Sequence, residues 1–117
     1  MAKKRAVAVK ATPSSGNVFA DLGLAEADEE LAKAQLATHI RQVLKRRRLT
    51  QTAAARLMGV DQPKVSALLN GRLAGFSSDR LMRLLTALGQ DVEIVVKGKP
   101  RTRSRGRISV IPDAMRL

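Results

Sequence analysis

The chain contains no cysteine, no tryptophan and no tyrosine, with one histidine and two phenylalanines. Without cysteine there is no disulfide, no thiolate metal site and no thiol nucleophile. With Phe19 and Phe76 alone, the chain lacks the aromatic platforms on which unpaired bases stack, which turns the expectation from single strands towards duplexes. His39 stands between Leu36 and Ile40 and is read as a partly exposed helix residue, since a lone imidazole makes neither a ligand set nor a catalytic pair. No apolar run approaches the ~20 residues of a membrane span. The opening Met1-Ala2-Lys3-Lys4-Arg5 is followed by too weak an apolar stretch for a secretory leader. There is no glycine-rich phosphate loop ahead of a helix, and the carboxylates crowd where helix starts explain them, so neither enzymatic activity nor a cofactor or metal is expected.

What is abundant is positive charge. The 117 residues carry a net charge of +12, with 44% hydrophobic residues. That length suits one small domain plus tails, and the apolar fraction suffices for a modest core. An excess of this size points to a polyanionic partner, with nucleic acid first.

Residues 1–17 mix Lys, Arg, Ala, Thr, Pro, Ser and Gly without periodicity, which predicts a flexible basic arm. Val18, Phe19, Leu22 and Leu24 form a short apolar cluster, expected as a turn or short helix folded back on the core. From about Glu26 to Arg47, Leu36, Ile40, Val43 and Leu44 recur at helical spacing. Acids at the start of this segment and Arg41, Lys45, Arg46, Arg47 and Arg48 at its end complement the helix dipole. This basic cluster, Arg46, Arg47 and Arg48 foremost, also offers candidate phosphate contacts.

The most informative stretch runs from Gln51 to Asn70, QTAAARLMGVDQPKVSALLN. Thr50 caps a short helix with its hydroxyl, and Leu49 staples its entry. Ala55 is small enough for a close helix crossing, and Gly59 can take the positive φ of a tight corner. Asp61 then caps a second short helix with Pro63 in its first turn, where a missing N–H costs no bond. Val65 and Leu68, three apart, anchor one face of that helix and leave the opposite face free. Ser77 or Ser78 opens a further helix whose Leu81, Leu84, Leu85 and Leu88 are core, with Gly89 closing it.

Asp91 to Lys97 changes period to two, which predicts a β-strand with Val92, Ile94 and Val96 on one face. A lone strand must find a partner. The expectation is antiparallel pairing with the same strand of a second copy, giving a two-fold homodimer, against a competing pairing with Ile108 to Ile111 of the same chain. Residues 98–117 begin with GKPRTRSRGR and are expected as a flexible basic tail. The domain itself is placed at 18–97.

Gln51, Ala55, Gly59, Val65 and Leu68, with Asn70-Gly71-Arg72 leaving the second motif helix, resemble the Cro/cI-like (Xre) helix-turn-helix regulators. The resemblance implies an all-α, lambda-repressor-like domain of four to five helices, here with one C-terminal strand used for dimer pairing. It implies sequence-specific binding to double-stranded DNA. The start of the second motif helix would enter the major groove, making Gln62, Pro63, Lys64, Ser66 and Ala67 the base-reading candidates. Gln51, Thr52, Asn70 and Arg72, at helix ends, would contact phosphates as in the family.

From Ser15 to Lys97 the chain is similar to the short HigA-like antitoxins, through NVFADLGL ahead of the leading helix and DVEIVVK at the end. This implies a prokaryotic, cytoplasmic repressor, nucleoid-associated when bound to a pseudo-palindromic operator. It further implies a RelE/HigB-like ribonuclease toxin as partner, with a stand-alone Xre regulator as the alternative.

Overall fold

The computed structural model describes residues 15–113, with side chains from residue 23 onward. Most of the expected arm therefore lies outside the described residues. Four helices follow in order: α1 Ser15–Arg46, α2 Gln51–Met58, α3 Gln62–Leu69 and α4 Ser78–Ala87. The helical expectation holds at the lower end of its four-to-five range.

The first helix is longer than expected. Residues 15–24 continue straight into α1 instead of forming a separate turn. No proline falls between Ser15 and Arg46. Gly23, costing about 1 kcal/mol in a helix interior, is not enough to stop it. Leu24, expected on the core, is 53% exposed.

The core is one cluster. Ile40 and Val43 of α1, Val65 and Leu68 of α3, and Leu81 and Leu88 at α4 are essentially inaccessible to solvent. Packing joins α1 to α4 and α2 to α3. The Ser78 hydroxyl donates to Glu29 at 3.2 Å, and Arg47 Nη1 donates to the Leu88 carbonyl at 3.0 Å. The two bonds lie at opposite ends of the contact, so α1 and α4 run in the same direction across the domain.

Local sequence sets the boundaries. Thr50, Asp61 and Ser77 each accept a backbone N–H from three residues on, at 3.1, 3.0 and 3.0 Å. These caps satisfy donors that a helix start otherwise leaves orphaned. At the end of α1, Leu49 N–H reaches Leu44 O at 3.0 Å while Arg48 N–H reaches Lys45 O at 3.1 Å. This paired closure requires a left-handed residue. Arg48 supplies it at φ 54°, where a glycine is usual.

The C-terminal part departs from expectation. Among the described residues there is no β-strand: 91–97 is irregular, and it does not pair with Ile108 to Ile111. A ladder needs two edges, and among the described residues this segment forms none with a second one. Val92 is half-buried against the core, whereas Ile94 is 75% and Val96 91% exposed. The basic segment that follows is laid back on α1. Arg105 Nη2 meets Asp28 Oδ2 at 2.9 Å, and Val110 N–H donates to Gln35 Oε1 at 3.3 Å. Because α1 begins at Ser15, the acids expected at a helix start lie inside it, and one of them, Asp28, together with Gln35 holds a stretch that composition alone predicts to be free.

Candidate nucleic-acid interface

Two short helices form the corner that presents α3. Ala54, Ala55 and Met58 of α2 are buried against the core, and Gly59 turns the chain at φ 70°. On α3, Val65 and Leu68 are fully buried, while Gln62, Pro63, Leu69 and Asn70 are exposed and Ser66 is half-buried. One side of α3 is thus fixed to the core and the other faces outward. Arg41 helps to hold it there: Nη1 donates to the Leu68 carbonyl at 3.1 Å and Nη2 to the Thr38 hydroxyl at 2.8 Å. A cation at a helix C-terminus also favours the local dipole.

The outward face is narrower than the five expected base-reading residues. Lys64 is half-buried, with Nζ 5.2 Å from the centre of the Phe76 ring, a cation–π contact that draws it towards the loop before α4. Ala67 packs partly against the core. Gln62, Pro63 and Ser66 remain as the groups directed away from the domain. Gln62 Nε2 donates to the Thr52 hydroxyl of α2, which orients the amide across the corner.

The expected phosphate contacts divide as well. Gln51 and Thr52 are exposed in the first turn of α2, and Arg46 at the end of α1, Arg48 just after it and Arg72 just past α3 are exposed as well. Arg72 is placed by the close of α3, its N–H reaching Ala67 O at 2.9 Å while Gly71, at φ 72°, makes the reversal. Arg47 differs because its guanidinium bonds the end of α4. Asn70 differs too, its amide bonding back to Ser66.

Beside α3, Arg41, Lys45 and Arg48 rim a groove of about 410 Å³ whose floor includes Leu49, Ala54 and Val65. Leu69 also lines it and is 37% exposed. Arg41 and Lys45 belong to the basic cluster that the sequence offers for phosphate contact, whereas Leu69 is not singled out by sequence reasoning. Leu69 was findable, lying seven residues after Gln62 on a helical face.

Residues 18–97 match the family described as a helix-turn-helix domain. A solved structure described as an XRE family transcriptional regulator is 54% identical, with a TM-score of 0.70 over 74% of this chain and 98% of that one. The chain belongs to the Xre family of helix-turn-helix regulators. No curated protein matches it. In this Xre-family regulator the DNA-binding motif is α2, the Gly59 corner and α3. No helix among the described residues is long and apolar enough to cross a membrane.

Proposed function

We propose that this regulator is a sequence-specific repressor that reads a pseudo-palindromic operator as a homodimer. The observation that carries the reading is the bare outer side of α3, where exposed Gln62 and Pro63 and half-buried Ser66 stand opposite fully buried Val65 and Leu68. Gln62 offers adenine both a donor and an acceptor, Ser66 a hydroxyl, and Pro63 an apolar surface for a thymine methyl. Lys64 and Ala67 flank this face. Exposed Arg46, Arg48 and Arg72 and the first turn of α2 supply the phosphate contacts that set the register. The support for a dimer is the apolar run at Ile94, Val95 and Val96, exposed by 75, 74 and 91%. Antiparallel pairing with a second copy would satisfy its backbone and carry two α3 helices to half-sites about one duplex turn apart.

Selection of bound fragments from random duplexes, followed by sequencing, tests this. The expected result is an enriched, inverted-repeat sequence. Salt-sensitive binding with no enrichment would reduce the protein to a non-specific DNA-coating role.

A second role is supported by α1. Leu24 and Leu31, seven residues apart and 53% and 55% exposed, place an apolar stripe on a helix carrying Glu26, Glu29 and Glu30. Together with the resemblance from Ser15 to Lys97, this supports antitoxin action against a RelE/HigB-like ribonuclease. The repressor would then regulate its own operon in the cytoplasm, on the nucleoid. Co-expression with a small toxin-like ribonuclease gene, sought beside its own, tests it: a stoichiometric complex that loses ribonuclease activity supports the antitoxin role, and the absence of such a gene or complex leaves a stand-alone regulator.

A further inference from the structure

Asn70 caps the C-terminus of α3, and its side chain is turned back onto its own helix. Nδ2 donates to the Ser66 carbonyl at 2.8 Å and approaches the Ser66 hydroxyl at 3.4 Å. A backbone carbonyl only accepts, so the amide atom facing it is the nitrogen, and Oδ1 must face away. The residue is exposed. At about 100° per residue it stands roughly 140° from Val65 and 160° from Leu68 around the helix, close to the middle of the outward face. Gln62, Ser66 and Asn70 follow i, i+4, i+8 along that face, about 6 Å between steps.

Resting on the reading of α3 as the base-reading helix, we propose that Asn70 is a specificity-determining residue of fixed polarity. Its Oδ1 accepts from an exocyclic amine in the major groove, N6 of adenine or N4 of cytosine. This replaces the phosphate contact expected from the sequence. A phosphate presents acceptor oxygens and negative charge, and an amide whose N–H groups are directed at Ser66 offers it another acceptor, which repels. Each base pair carries one such amine in the major groove, on A or on C. An outward acceptor therefore selects which strand bears the amine: it favours A or C over G or T on the strand it faces. Ser66 is then both a candidate reader and the tether that sets the polarity of its neighbour.

The test is selection from random duplexes with the wild type, Asn70→Ala and Asn70→Asp, with affinity for random duplex measured in parallel and helical circular dichroism on heating as the check that each variant is folded. The wild type is expected to enrich A or C at a half-site position that Asn70→Ala no longer discriminates. Asn70→Ala should also bind the selected duplex about fivefold or more weakly, with random-duplex binding unchanged. Asn70→Asp keeps acceptor oxygens, so it should retain the A or C preference while its charge weakens binding to every duplex. Equal weakening of selected and random duplexes by Asn70→Ala, with the enriched sequence intact, overturns this assignment alone. Absence of any enriched sequence with the wild type overturns the operator reading and this inference with it.

Discussion

Gln62 of α3 donates its Nε2 to the Thr52 hydroxyl of α2 across the helix-turn-helix corner. One amide hydrogen is engaged, which leaves the other hydrogen and Oε1 available, the pair an adenine edge requires. The amide is therefore oriented before DNA arrives, and less rotamer entropy is lost on binding. Gln62→Ala should relax base preference at one operator position and cost about 1–3 kcal/mol of specific binding. Thr52→Val keeps the glutamine but frees its amide, so the same position should blur with a smaller loss. Comparing the selected sequences of the two variants checks the relation; an unchanged preference in both would remove Gln62 from the reading face.

Arg46 and Arg47 are neighbours in sequence with different duties. Arg47 Nη1 bonds the Leu88 carbonyl at the end of α4, so Arg47→Ala should lower unfolding free energy by about 1–2 kcal/mol in a denaturant titration. Arg46 is exposed. Arg46→Ala should leave stability nearly unchanged and lower the salt dependence of DNA binding by roughly one contact. The reverse pattern would exchange their roles.

Arg48 occupies a left-handed conformation at φ 54°. A side chain there is strained by about 1 kcal/mol relative to glycine. Arg48→Gly is therefore expected to raise thermal stability while weakening duplex binding through the lost charge. A fall in melting temperature would mean that the arginine makes compensating contacts.

Ile94 is 75% exposed in the single chain, so Ile94→Asp should not disturb the helical core. If residues 91–97 join two copies, that substitution places two carboxylates in a paired apolar strand and should yield monomers by sedimentation, with the melting of the helices retained. A wild type that is monomeric at micromolar concentration would remove the strand from the dimer.

The parts of this molecule legible in its sequence are those governed by neighbours a few residues apart. Thr50, Asp61 and Ser77 cap the helices they were expected to cap, because a cap is a bond within one turn. Val65 and Leu68 are buried and the other side of α3 is open, because helical periodicity alone separates those faces. The start expected for α1 near Glu26 is too late, since the helix begins at Ser15: nothing in the local backbone chemistry of residues 15–24 requires a turn there.

Tertiary structure decided what depends on residues far apart in the chain. Arg47 and Arg46 are indistinguishable by composition, and the arrival of Leu88 beside the end of α1 separates them. Lys64 has the chemistry of a base reader until Phe76 comes beneath it. Arg105 belongs to a segment whose composition predicts freedom, until Asp28 lies opposite. Short-range hydrogen bonding and apolar periodicity are properties of sequence, and they determined the motif. Which cations remain available for a phosphate is a property of packing, since a guanidinium already bonded within the fold must give up that bond before it can take another.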